Sequence, residues 1–400
     1  MIKHILKLTV CACACVLMLV HTASSVFASG KTDESLQAAA EPLTVAQQLD
    51  SVTAPSYILV EMQTDTVLFE KDAQKQFYTS HLNKLMTLLL LAEDIQVGKV
   101  KTDDLFTATD RANEQGDPQI WLDKGEKISV DELIKAITVG NANDAAVTVA
   151  ENLCASEKKF TAKMNEKAKA LGMQNTVFKD CTGVDKANTT NAKDLSRLCK
   201  ALSKYDFLVP YFKTWMVNVR SGKAELVNSN RLVRNYSGLS GVKACSSKES
   251  GSCGCVTAEK SKLQLCAVVL GCADNDKRDA DVKKLLKCGA ESFQLYRPQV
   301  PEELLENISV TGGEALECEL EVQGEPLVII KRGTSKQLKA SWEKEEKLTA
   351  PVEKGKVCAQ YTLEYEKKPV CTVCIVAKQK IKKMNWLCGV KKLLYNLIKL

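Results

Sequence analysis

The sequence predicts an α/β fold, an antiparallel sheet with helices on both faces, followed by a small all-β domain. Three observations predict it. Strand-like runs stand at the two ends of a long first region, Tyr57-Ile58-Leu59-Val60 and Thr66-Val67-Leu68-Phe69 at one end and Gln264 to Leu270 at the other, with mainly helical patterning from Asp103 to Leu202 between them; one sheet is therefore assembled from chain-distant segments. Within that region Phe77 to Asp94, FYTSHLNKLMTLLLLAED, holds a helix with almost no polar face, since Leu85, Met86, Leu88, Leu89, Leu90, Leu91 and Ala92 cover every direction around the helical turn. Such a helix belongs at the centre of a large domain. After Pro298 and Pro301 the pattern changes to short alternating runs separated by Gly and Pro turns.

Four hundred residues with 45% hydrophobic content can bury a sizeable core, and the length suggests two domains. The chain opens with Lys3 and Lys7, an apolar run from Leu8 to Val20 that is short for a spanning helix, and a small-residue cleavage site at Val26-Phe27-Ala28. That is the pattern of a secretory signal peptide over 1–28, and it predicts export. The polar, alanine-rich stretch 29–50 reads as a linker or leading helix. The first domain, 51–297, starts with a hairpin turning at Gln63-Thr64-Asp65, which feeds the buried helix. Asp131 to Ile137, Ala145 to Leu153 and Phe160 to Leu171 follow with helical spacing. The late strand Gln264 to Leu270 leads to a helix expected from about Ala280 to Leu295. In the second domain, 298–378, the strand-like runs are Leu316 to Val322, Leu327 to Ile330, Cys358 to Leu363 and Val370 to Val376.

The final segment, 379–400, carries an amphipathic helix from Met384 to Leu400. Trp386, Leu387, Val390, Leu393, Leu394, Leu397 and Ile398 gather on one side of it. Basic flanks and an interfacial Trp favour a helix lying in an anionic membrane surface, with docking on its own domain as the alternative. The formal net charge of +6 is unevenly placed: the last 23 residues hold seven lysines and no acid, and without these and Lys3 and Lys7 the body has 46 basic against 49 acidic residues. A near-neutral body gives no footprint for nucleic acid. Fourteen of the seventeen cysteines lie beyond the signal peptide, scattered singly through apparent helices and strands, and most read as small hydrophobes, leaving a few disulfides open. Cys253-x-Cys255 and Cys371-x-x-Cys374, the close pairs of the mature chain, lack a second pair or a histidine at zinc spacing, so no metal or other cofactor is expected.

The chemistry centres on the first turn of the buried helix, where Lys84 at the edge of an apolar core is desolvated and shifted toward the neutral, basic form. The pattern around it resembles the active-site helix of serine D-alanyl-D-alanine carboxypeptidases, the low-molecular-weight penicillin-binding proteins, whose motif is roughly P-A-S-x-T-K-[IL]-M-T. Setting Lys84-Leu85-Met86-Thr87 on its end puts Asn83 on the threonine and His81 on the nucleophilic serine. Asn141-Ala142-Asn143-Asp144-Ala145-Ala146 is similar to S-A-N-D-A-A, with Asn141 where the serine stands. Leu239 to Cys253 resembles the stretch that carries K-T-G on an edge strand: Lys243 keeps the lysine, Ala244 takes the threonine position and Cys245 the glycine. Met164 to Phe178, Asn230-Arg231-Leu232 and Leu348 to Gly355 resemble further family stretches, so the likeness covers nearly the whole mature chain.

The resemblance implies a penicillin-binding-protein and β-lactamase-like domain, a C-terminal β-domain and a membrane tether. It implies that the three motifs meet in one cleft, with Lys84, Asn143 and Lys243 retained and His81, Asn141, Ala244 and Cys245 altered. A nucleophilic hydroxyl at i with a lysine at i+3 is what acylation needs, and an acyl-imidazole at His81 would hydrolyse readily. Ser80, four residues before Lys84, can share a face with it as a substitute nucleophile, or can serve as an N-cap. His81 is the only histidine beyond the signal peptide, and no Gly-x-Ser-x-Gly elbow is present, so other hydrolase triads lack their parts. The expected function is an exported, wall-facing family protein that has lost its acylating residue and binds peptidoglycan stem peptides or partner proteins. The alternative is an active carboxypeptidase using Ser80 or Cys245. A β-lactamase fits less well, because those enzymes lack the β-domain and terminal helix.

Overall fold

The computed structural model describes residues 44–385. The signal-peptide stretch and the helix expected over 384–400 lie outside that range, apart from Met384 and Asn385. A five-stranded antiparallel sheet forms the centre of the first domain. β1 (Ser56–Glu61) and β2 (Thr66–Lys71) make the expected hairpin, and β3 (Leu239–Ser247), β4 (Gly251–Lys260) and β5 (Leu263–Cys272) complete the order β2-β1-β5-β4-β3. β1 is buried along its whole length. Ile58 and Val60 face the helices of one layer, while Tyr57 and Leu59 face those of the other, so the strand shows no polar alternation.

On the first face lies α1 (Lys84–Gln96), surrounded by α2 (Val130–Thr138), α3 (Asn143–Cys154), α4 (Glu157–Ala170) and α5 (Ala192–Leu202). From Leu85 to Ala92 every residue of α1 is buried, as its all-round apolar pattern requires. α6 (Asn275–Ser292) covers the opposite face, packing Val282, Leu285 and Leu286 against Leu59, Leu265 and Val269. It begins earlier and ends earlier than expected. Asp274 caps its start by accepting from the Lys277 N–H at 2.7 Å, and the β-prone run Phe-Gln-Leu-Tyr leaves the helix to become β6 (Phe293–Tyr296).

β6 pairs with β10 (Val328–Lys331), a strand of the second domain. Arg332 reinforces the junction: its N–H donates to Ser292 O at 2.8 Å and its guanidinium to Ala290 O at 2.8 Å and Phe293 O at 3.1 Å. The rest of that domain is all β. β7 (Ile308–Thr311), β8 (Glu317–Cys318) and β12 (Lys347–Thr349) form one small sheet, in the order β8-β7-β12. β9 (Leu320–Val322), β14 (Lys368–Ala377), β13 (Val357–Tyr365) and β11 (Lys339–Lys344) form another, in that order. Several strands escaped the sequence pattern, β4 and β11 among them. β4, SGSC-rich, has few β-branched residues and is a strand because β3 and β5 flank it, while β11, KASWEK, alternates charge rather than apolar side chains.

The thirteen described cysteines are free thiols, ten of them buried. Cys245 and Cys253 stand opposite each other on β3 and β4. Among the described residues no helix is long and apolar enough to cross a membrane.

Candidate active site

The chain enters α1 through a short 3-10 turn, Ser80–Asn83, with no side-chain cap at Thr79 or Asn83. The N-cap reading of Ser80 is therefore corrected. Ser80 sits in the left-handed region at φ +48, starts the turn rather than the helix, and among the described residues makes no hydrogen bond to Lys84. A loop from Asp180 to Asn188 holds this turn in place. Asn83 Nδ2 donates to Asp180 O at 3.1 Å and Asn188 Oδ1 at 2.8 Å, and Thr87 Oγ1 donates to Cys181 O at 3.0 Å. Gly183, at φ +87, passes so close that a Cβ there would lie 1.8 Å from the Ser80 carbonyl oxygen.

Lys84 is fully buried. Its Nζ donates to Asn143 Oδ1 at 2.6 Å and to Thr182 O at 2.7 Å, and lies 3.2 Å from His81 Nδ1. Burial lowers its pKa to about 8, against the opposing pull of Cys181 and Asp180. The same desolvation, together with the Lys84 and Lys243 charges, lowers His81 to about 3. The imidazole is thus neutral near pH 7. Facing a protonated Lys84, its Nδ1 must accept, so its proton is on Nε2.

Asn143 opens α3, directly after the bend at Asn141, which holds φ +56. The Asn143 amide donates to Gly116 O at 2.9 Å and Asp117 O at 3.2 Å, leaving its Oδ1 to receive Lys84. Asp144 pins the adjacent loop by accepting from the N–H groups of Ile120 and Leu122, both at 3.0 Å, and burial raises its pKa. Asn141 connects to β3 through Ser229. Its Nδ2 donates to Ser229 Oγ at 2.9 Å, and Ser229 in turn donates to Ala244 O at 2.6 Å.

On β3 the Lys243 side chain is buried, and its Nζ donates to Ile137 O at 2.5 Å. Desolvation, then the Lys84 charge, lower its pKa to about 7. Cys245 is buried beside the Leu82 backbone N–H; burial raises its thiol pKa, with Lys243 foremost among the charges opposing. The structure thus joins His81, Lys84 and Asn143 in direct contact, sets Lys243 and Cys245 beside them, and links Asn141 to Ala244 through Ser229. Of these residues His81 and Ser229 are half-buried and the others buried.

Sequence reasoning missed Thr182, Asp180 and Ser229. Asp180 shapes the loop by accepting from the N–H groups of Thr182 at 2.8 Å, Gly183, and Asp185 at 2.6 Å. Asp-Cys-Thr-Gly is a turn signature that could have flagged it. Ser229 carries no such signal. Chemically the cleft has a lysine tuned to act as a base, but the side chain one turn before it offers no hydroxyl, and Lys243 can present a cation to a carboxylate.

Comparison with known proteins matches both domains. The family profile described as D-alanyl-D-alanine carboxypeptidase covers residues 42–274, and that of the penicillin-binding protein 5 C-terminal domain covers residues 293–383. The chain is 30% identical over 344 residues to D-alanyl-D-alanine carboxypeptidase DacF of Bacillus subtilis, covering 85% of this chain and 88% of that one. It is 27% identical to D-alanyl-D-alanine carboxypeptidase DacA of Escherichia coli, covering 86% and 87%. Among solved structures, penicillin-binding protein 5 from Haemophilus influenzae has the same fold, with TM-score 0.76 at 22% identity over 83% of this chain and 98% of that one. With a carboxypeptidase profile over more than half its length, a matching C-terminal domain and an α/β domain followed by an all-β one, this chain belongs to the D-alanyl-D-alanine carboxypeptidase family.

Proposed function

We propose that this protein is an exported, non-catalytic member of its family, which acts at the cell wall by binding peptidoglycan stem peptides or partner proteins. One observation carries the reading: the residue that the motif resemblance sets at the nucleophile's position is His81, whose imidazole lies 3.2 Å from Lys84 and offers no hydroxyl to acylate. Lys84 therefore has no hydroxyl beside it to activate. The substitute nucleophiles fare no better. Ser80 is buried and has no bond to Lys84, and the Cys245 thiol is held protonated by burial. Lys243 supports a binding role, since its ammonium can meet the terminal carboxylate of a stem peptide. The lysine-rich last 23 residues, of which those beyond Asn385 lie outside the described residues, support attachment to an anionic membrane surface.

Labelling with a fluorescent penicillin tests the reading, because covalent capture needs a competent nucleophile. We expect no label on the unmodified protein. We also expect none on His81→Ser alone, because Asn141 and Ala244 still withhold the hydroxyls that the family places beside the serine, and residues acting as a unit are not restored singly. The combined His81→Ser, Asn141→Ser, Ala244→Thr and Cys245→Gly protein should label. Labelling of the unmodified chain that Ser80→Ala or Cys245→Ala abolishes would instead establish a rebuilt, active site.

A further inference from the structure

The outer strand of the β-domain, β11, is uncovered. Its residues from Lys339 to Glu343 are all exposed, it pairs with β13 alone, and among the described residues none of its backbone groups bonds elsewhere. A free strand edge is a template for another strand, and charged side chains usually guard it. Here the guard has a particular symmetry. Lys339 and Glu343 stand at equal distances on either side of Ser341, so a second β11 running antiparallel across a two-fold axis at Ser341 sets each Lys339 opposite the partner's Glu343 and each Ala340 opposite the partner's Trp342. Shifting the axis by half a residue sets Lys339 against Lys344 in one direction and leaves Glu343 opposite Leu338 in the other, so the first register is the one that pairs both charges.

The apolar side of the edge fits the same partner. Ala340 and Trp342 stand next to Leu363 and Tyr361, both buried core residues of β13, yet Trp342 is 46% exposed, its ring 6.3 Å from that of Tyr361. The small Ala340 of a second copy leaves room for that indole. We infer that β11 is a self-association edge, through which two copies of this chain join their four-stranded sheets in an antiparallel, two-fold pair.

Such a contact falls below about 1,200 Å², the low end of specific interfaces, so the dimer is weak and is sought over roughly 5 to 500 μM by sedimentation equilibrium. The mass of the wild-type protein should climb from one chain toward two. Glu343→Lys and Lys339→Glu should each weaken self-association at least tenfold by opposing like charges. Mixed in equal amounts, these two variants should pair with each other, because every contact across the axis is again Lys against Glu. That recovery would also show that both variants are folded. A wild type that stays monomeric at the highest concentration, single variants that dimerise as well as wild type, or a mixture that fails to recover each overturns the inference.

Discussion

His81 shows how one side chain can be legible as a letter and opaque as a physical object. The motif alignment found its position, together with Lys84, Asn143 and Lys243, because side-chain identity at fixed spacing is what a sequence records. Thr182 and Ser229 were invisible for the opposite reason: one acts through a backbone carbonyl and the other through its arrival from a distant loop. Burial of His81 has a measurable consequence. Its pKa is about 3 when folded against 6.5 in the unfolded chain, so below pH 6.5 the unfolded chain takes up a proton that the folded one refuses. Stability attributable to this residue is complete above pH 6.5 and is lost as the pH falls toward 3. Between about pH 7 and pH 4.5 the loss is on the order of 2 to 3 kcal/mol. Urea unfolding of wild type and His81→Asn at the two pH values should show that difference as an excess loss in the wild type; equal losses would refute it. Lys84 and Lys243 act in the same direction, in a window at higher pH. With folded pKa values of about 8 and about 7 against 10.5, each contributes a stability gain as pH rises through its own window to 10.5.

At the scale of elements, α1 could be read directly, since a helix apolar on every side can only be internal. The helix start could not. Ser80 looked like a cap from its residue type, but it sits in the left-handed region with the loop from Asp180 to Asn188 close against the turn. Gly183 is where the loop comes close. Gly183→Ala should lower stability by at least roughly 2 kcal/mol, combining an unfavourable positive φ with a backbone clash against the Ser80 carbonyl. Gly125→Ala makes the control, because Gly125 also has positive φ, +76, but open space around its missing Cβ. Its cost should stay near 1 kcal/mol. Equal shifts in thermal midpoint for the two variants would mean that the loop does not bear on the turn. β4 and β11 share one lesson: a strand made by its neighbours need not advertise itself in its own residues.

Across the whole molecule, the order of an α/β domain followed by a β-domain was legible because composition changes sharply at the prolines near 300, whereas the junction itself was not. β6 has a β-prone sequence, but its pairing with β10 joins residues distant in the chain and leaves no local pattern. Charge is also a whole-molecule property, and it concentrates at the C-terminal end. Removing residues 384–400 should reduce binding to anionic lipid vesicles at least tenfold, measured by co-sedimentation at low salt, since the seven apolar residues of one face and three lysines leave together. Unchanged binding by the shortened protein would place the lipid contact elsewhere. The buried thiols set a different kind of boundary, one of time. Each is out of reach of oxidants only while the chain is folded, and Cys253 and Cys255 are separated by a single residue. Held melted in air, the chain should couple its sulfurs within and between molecules, making the first excursion one-way. Under a reductant the same excursion should retrace itself.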